Sequence, residues 1–181
     1  YKRQVLECRF TNSGGSAIRL DLYAQNITIK NNMIDFVGHM GILLCGYGPG
    51  TKDVNKNNTI TNNVIHHVGA VMKMGAAIFI WQSGSNIISN NLIHHVPRKA
   101  VGICGIRVPI LQKRNIDFDE GSKTIRWNEI DEAIEKKGTF WQRYTPFLHA
   151  KNNIGENNEV YRALEELADG SALNVSGAGE G

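Results

Sequence analysis

One phrase recurs along the chain and restricts its fold more than any other feature. An Asn-Asn step leads into an aliphatic pair, and further on a small residue opens a second aliphatic pair. The step reads Asn31-Asn32-Met33-Ile34, Asn62-Asn63-Val64-Ile65, Asn90-Asn91-Leu92-Ile93 and Asn157-Asn158-Glu159-Val160. Counted from the second Asn, the small-aliphatic start follows 9 to 14 residues later, at Gly41-Ile42, Ala77-Ile78, Gly102-Ile103 and Ala172-Leu173, with Ala17-Ile18 upstream. Self-similarity at ~20–50 residues marks a solenoid. The apolar residues fall at period two (Ile18/Leu20, Ile42/Leu44, Ile78/Ile80, Leu173/Val175), which is the periodicity of strands and not of helices. Short alternating strands punctuated by Asn and Gly predict an all-β parallel β-helix. The Asn pairs fit its bends, because Asn enters the left-handed region more readily than other non-glycine residues. Stacked Asn side chains can also hydrogen-bond from coil to coil.

In chain order, coil one runs from about Val5 to Gln25, coil two from Asn26 to about Val54, coil three from Asn57 to Gly84 and coil four from Asn86 to Arg107. Residues 108–150 interrupt the repeat with charged and aromatic sequence, and coil five resumes at Asn152. Within the insertion Trp127, Ile130 and Ile134 share one helical face. Lys136-Lys137-Gly138 supplies cations and a glycine at a C-terminus, so a helix is expected from about Thr124 to Lys137. The 181 residues suit a single domain, 1–181. Both ends read as cut within the repeat, so the remaining rungs of a longer chain, or self-association at exposed strand edges, are expected partners.

Composition excludes some functions. The net charge is +3 with scattered Lys and Arg, which gives no nucleic-acid footprint. No apolar run is long enough to cross a bilayer, so no membrane partner is expected. Cys45 and Cys104 would lie two coils apart, too far to bridge.

With the Gly or Ala as position one, positions two and four point inward, with Ile103/Gly105 filling them in coil four. Positions three and five point outward and are apolar in the middle coils: Leu43/Cys45, Phe79/Trp81 and Cys104/Ile106. Such a patch must be covered or must bind something. Either the insertion's helix covers it, or Phe79 and Trp81 form part of a sugar-stacking wall. His66-His67 and His94-His95 occupy equivalent places in adjacent coils and should stack ~5 Å apart. Four close imidazoles suggest a metal, but alternation along a strand puts at most two on one face, and no third ligand has a fixed spacing. A structural stack, or substrate contact and proton transfer, are the other readings. Asp169, in a turn before the outward strand of coil five, is the best single carboxylate, although Asp before Gly is also an ordinary turn pair. Arg107, at the mouth of the insertion, is a candidate substrate anchor. No cofactor and no metal are assigned.

The string from Gly75 to Asn86 (GAAIFIWQSGSN), then Asn90-Asn91-Leu92-Ile93-His94-His95, Asp169-Gly170-Ser171-Ala172 and Ser176-Gly177-Ala178-Gly179, resembles secreted bacterial right-handed parallel β-helix proteins of the pectate-lyase-like kind. The resemblance is closest to the β-helix glycoside hydrolases of polysaccharide utilisation, the group with fucosidase and xylanase members. It implies secretion or a periplasmic location, a polysaccharide or oligosaccharide partner, and a pair of catalytic carboxylates. Asp169 matches one acid, and its partner is expected one to two rungs later, beyond Gly181. On this reading Asp169 is catalytic, and Trp81, His94, His95, Arg107 and His66 contact the sugar. Asp169, Trp81, His94 and Arg107 are expected to line one groove. A polysaccharide lyase of the same fold, or a non-catalytic carbohydrate-binding β-helix, are the alternatives.

Overall fold

The computed structural model describes residues 3–46, 52, 54–106, 127–135 and 137–177. The strands, in chain order, are β1 (Arg3–Leu6), β2 (Arg9–Thr11), β3 (Ile18–Asp21), β4 (Ile27–Lys30), β5 (Met33–Asp35), β6 (Ile42–Cys45), β7 (Thr59–Thr61), β8 (Val64–His66), β9 (Ala76–Trp81), β10 (Ile87–Ser89), β11 (Leu92–Val96), β12 (Lys99–Cys104), β13 (Ile154–Glu156), β14 (Glu159–Ala163) and β15 (Leu173–Ser176). Every third strand pairs in parallel, giving three five-stranded sheets. The first is β1-β4-β7-β10-β13, the second β2-β5-β8-β11-β14 and the third β3-β6-β9-β12-β15. Five coils thus stack into the expected parallel β-helix.

The bends are where sequence and backbone meet. Asn31, Asn62, Asn90 and Asn157 are left-handed at the corner between the first and second sheets. The second Asn of each pair turns inward, and its side chain runs a ladder along the axis. Asn32 Nδ2 donates to Asn63 Oδ1 (2.9 Å), Asn63 to Asn91 (3.0 Å) and Asn91 to Asn158 (2.9 Å). A second ladder, Asn58–Asn86–Asn153, closes the corner between the third and first sheets; there Asn86 Nδ2 donates to Asn153 Oδ1 at 2.8 Å. Each buried amide is satisfied coil by coil, and removing one would strand its neighbours at roughly 1–3 kcal/mol.

The core is a column of Ile, Leu and Val from all three sheets, including Ile42, Leu44, Ile78, Ile80, Ile60, Ile65 and Ile93, all without solvent exposure. In two places it differs from expectation. In coil four, β12 pairs Val101 with Ile78 and Ile103 with Ile80, so Ala100 takes the small position and Val101/Ile103 point inward. The expected pairing was two residues out of step, and Gly105 is not a core position. A two-residue slip preserves which face each residue takes, so Cys104 still points outward, level with Trp81. The missing side chain at Gly102 makes room for the Phe79 ring, which an added Cβ there would meet at 2.8 Å. In coil five, Leu173 and Val175 hold the inward register opposite Val101 and Ile103 but are 62% and 79% exposed, because no described coil stacks on β15.

The outward face of the third sheet builds a second core. Two short helices lie on it, α1 (Trp127–Ile134) and α2 (Phe140–Tyr144), followed by a 3-10 turn over Thr145–Phe147. Leu43, Cys45, Phe79, Trp81, Cys104 and Ile106 pack with Ile130, Tyr144, Phe147 and Leu148, with Trp127 partly buried beside them. The expected helix therefore covers the apolar column, with Ile130 fully buried; the side chain of Ile134 lies outside the described residues. Sequence reading did not anticipate α2 and the turn after it, which add Tyr144, Phe147 and Leu148. Thr139 starts α2 with a reciprocal capping box to Gln142. Gln82 fastens the assembly: its Nε2 donates to the Phe147 carbonyl (2.7 Å) while its Oε1 accepts from Ile106 N (3.0 Å).

Candidate functional site

The proposed sugar groove is not assembled. Trp81 is only 2% exposed and belongs to the second core, so its ring offers no stacking platform. The physical reason is the insertion, which supplies apolar partners to the whole column. Asp169 lies in the turn between β14 and β15, at the entry end of the third sheet, whereas Trp81 ends β9 at the exit, level with Cys104 and Ser176. The Asp169 carboxylate is 66% exposed and is gripped by Arg98, with Nη2–Oδ2 at 2.8 Å and Nε–Oδ1 at 3.1 Å. Arg107 lies outside the described residues.

The four histidines do come together, on the outward face of the second sheet. Asp35, His66, His94 and Tyr161 are consecutive register partners in β5, β8, β11 and β14. The His66 and His94 rings stack at 4.7 Å and 10°, and His94 and Tyr161 at 4.9 Å and 11°. Beside this column runs another: Phe36 on His67 at 4.9 Å and 24°, and His67 on His95 at 4.9 Å and 12°. The expectation that only two imidazoles could share a face is wrong. Phe36, His67, His95 and Arg162 all have a left-handed backbone, and there strand alternation lapses, so consecutive side chains project to the same side. The available signal was Asn12, which occupies the same left-handed position in coil one.

Hydrogen bonds tie the two columns. Nδ1 of His66 lies 2.8 Å from Nδ1 of His67, and Nδ1 of His94 lies 2.7 Å from Nδ1 of His95. Such a contact needs one ring protonated at Nδ1 and the other presenting a lone pair. In the neutral pair, one ring then carries an Nε2 lone pair and the other an Nε2–H. Each pair thus offers one acceptor and one donor. Burial, and next the neighbouring imidazole His67, hold His66 below the usual histidine range; burial, and next His66, do the same for His94. Both rings therefore favour the neutral form. No cluster of three or more His, Cys, Asp or Glu with metal-holding geometry occurs among the described residues.

Charged groups flank the rings. Asp35 is buried, and its Oδ2 meets Arg9 Nη2 at 2.9 Å while Oδ1 has no hydrogen-bond partner. A hydrogen bond from the Thr11 hydroxyl and then the Arg9 guanidinium lower the Asp35 pKa against the opposing effect of burial. Arg162 Nε donates to Glu165 Oε1 at 2.5 Å. Phe36 and Tyr161 remain large exposed rings at the two ends of the columns.

No curated protein and no solved structure matches the chain. A family model described as right handed beta helix region matches residues 4–178. That span takes in all five coils and the interruption between the fourth and fifth, and the three parallel sheets agree with it; the chain belongs to the right-handed β-helix family.

Proposed function

We propose that this is a carbohydrate-active β-helix whose second sheet carries the polysaccharide-binding face. The observation that carries this reading is the double ring column, with paired imidazoles in the middle and exposed Phe36 and Tyr161 at its ends. Rings stacked along the axis present their edges outward. Alternating Nε2 donors and acceptors on those edges suit sugar hydroxyls, which both donate and accept. The outer ring of Tyr161 adds an apolar surface with a polar tip. The family match is compatible with this class of function. Affinity electrophoresis through gels containing neutral and acidic polysaccharides tests it. Retardation should weaken strongly in Tyr161→Ala and Phe36→Ala, and no retardation by any polymer would overturn the reading.

A hydrolytic role for Asp169 is a second reading, favoured by one observation. Its carboxylate is exposed, and Arg98, three residues beyond His95 in the chain, holds both of its oxygens. A carboxylate so held can act as base or nucleophile towards a bound glycan, with a second acid completing the pair.

A further inference from the structure

The paired imidazoles are unusual in one respect: their hydrogen bonds limit how many protons they can carry. A pair joined Nδ1 to Nδ1 accommodates one added proton, since an imidazolium Nδ1–H can donate to its neutral neighbour. It cannot accommodate two, because two N–H groups would then face each other at 2.7–2.8 Å. The surrounding charges set what each proton does. Arg9 on β2, Asp35 on β5, Glu159, Tyr161 and Arg162 on β14, and Glu165 just beyond it face or border the rings. Two arginines against three carboxylates leave this face slightly negative when the imidazoles are neutral. Arg98–Asp169 and Lys73–Glu166 pair internally at its border. One proton per imidazole pair therefore turns a slight negative excess into an equally slight positive one. A second proton per pair makes the face strongly cationic and opens the ring contacts.

We infer that the His66–His67 and His94–His95 pairs form an acid-operated switch on the proposed binding face, which gains affinity for carboxylate-bearing polysaccharides as the pairs take up protons. The inference rests on the carbohydrate-binding reading and names its regulation. Burial and mutual repulsion oppose protonation of His66 and His94, so these two rings take up their protons on the acid side of an ordinary histidine. Uronate carboxylates remain ionised there, so the ligand keeps its charge while the protein changes sign. Neutral polymers meet the same ring edges without this gain.

The test uses alginate as the uronate polymer and dextran as the neutral one, at about pH 7.5 and about pH 5, bracketing the histidine range. Wild-type affinity for alginate should rise about tenfold on acidification, the scale of two added exposed charge contacts. The rise should vanish in high salt, and dextran binding should not rise. The variant H66Q/H67Q/H94Q/H95Q, which keeps polar side chains but cannot titrate, should show no gain. Nitrogen-15 spectra of the wild-type rings give a variant-free reading, and each pair should take its two protons in separate steps. Alginate affinity equal at both pH values, with dextran still bound, would overturn the switch and leave the binding face standing. A rise undiminished in the quadruple variant would place the charge elsewhere and overturn it too. If that variant does not fold, ring spectra showing no proton uptake by the wild-type pairs between the two pH values decide against the switch. Binding of neither polymer at either pH would remove the binding face and the switch together.

Discussion

The outward faces of the second and third sheets come from the same repeat and end in opposite states. On the third sheet Phe79, Trp81, Leu43 and Cys104 lie under α1, α2 and the turn after it, and the rings have become interior. On the second sheet Phe36, His67 and Tyr161 lie in the open, supported by one another along the axis. In a solenoid the outward position by itself does not say whether a ring is core or contact surface. What decides is whether an insertion elsewhere in the chain supplies a cover. Aromatic residues in an outward column are thus poor evidence for ligand binding until the insertion has been placed.

The widest separation between the two faces should come from ring deletion. Trp81→Ala is expected to cost about 3–5 kcal/mol, the usual range for a large buried aromatic, read as a lower denaturant midpoint. The same truncation at Phe36, half exposed, stacked on His67 and edge-on to His66, should cost about 1 kcal/mol or less beyond its share of these ring contacts. Equal losses at the two sites would break the distinction and show the exposed column to be as structural as the covered one. Gln82→Ala tests the cover itself. It leaves the Phe147 carbonyl and Ile106 N–H without their partner in a buried setting, at roughly 1–3 kcal/mol for each such group. The readout is increased hydrogen exchange in α2 with the five coils unaffected.

Next in size is the dependence of stability on pH. His66 and His94 have folded-state pKa values below 6.5, the value for a free histidine. Below about pH 6.5 the unfolded chain therefore binds more protons than the folded one, and stability falls as pH drops towards the folded values. Above the unfolded value the contribution is fully present. Thermal melts from neutral to mildly acid pH should show this loss, and the quadruple His→Gln variant should flatten the curve in that window. Trp81→Ala should shift the curve down with little change of slope there, because Trp81 lies on the third sheet, away from the His66 and His94 ring columns of the second. A wild-type curve with no slope in that window would separate the ring stack from its supposed electrostatics.

The fold was legible because the repeat is dense in residues with a single mechanical use. Asn31, Asn62, Asn90 and Asn157 mark one corner, their neighbours mark the ladder, and Ile42, Ile78 and Ile80 mark the core. The slip in coil four arose because Ala100-Val101 and Gly102-Ile103 are equally good small-aliphatic starts, and only pairing with β9 distinguishes them. The histidine face was half legible. Its columns and spacing could be read from equivalent positions, but its second column depends on a left-handed turn at Phe36, His67 and His95, residues that do not advertise that conformation as Asn does. The expected groove failed for a longer-range reason. The helix that carries Ile130 was a foreseeable cover, but nothing local to Trp81 reveals that Phe147 will join it, and nothing local to Asp169 reveals Arg98 as its partner.

The smallest expected effect on stability belongs to Asp169, and for that reason it is the cleanest probe of chemistry. Its partner Arg98 is largely sheltered, but the carboxylate is mostly in water, so solvent screens the pair. Exposed ion pairs contribute about 0–1 kcal/mol, and the two-point geometry puts this one near the upper end of that range. Asp169→Asn keeps the shape and one acceptor oxygen, so its melting curve should stay close to wild type at neutral pH. If Asp169 serves only as the ion-pair partner of a turn, the variant should also keep wild-type glycan binding and any turnover by a chain that carries both carboxylates. If it acts as base or nucleophile, turnover should fall by several orders of magnitude with binding and melting unchanged. Arg98→Gln separates the two further. It frees the carboxylate without removing it, so a catalytic Asp169 would keep part of its activity with an altered pH profile, and a merely structural pair would leave that profile untouched.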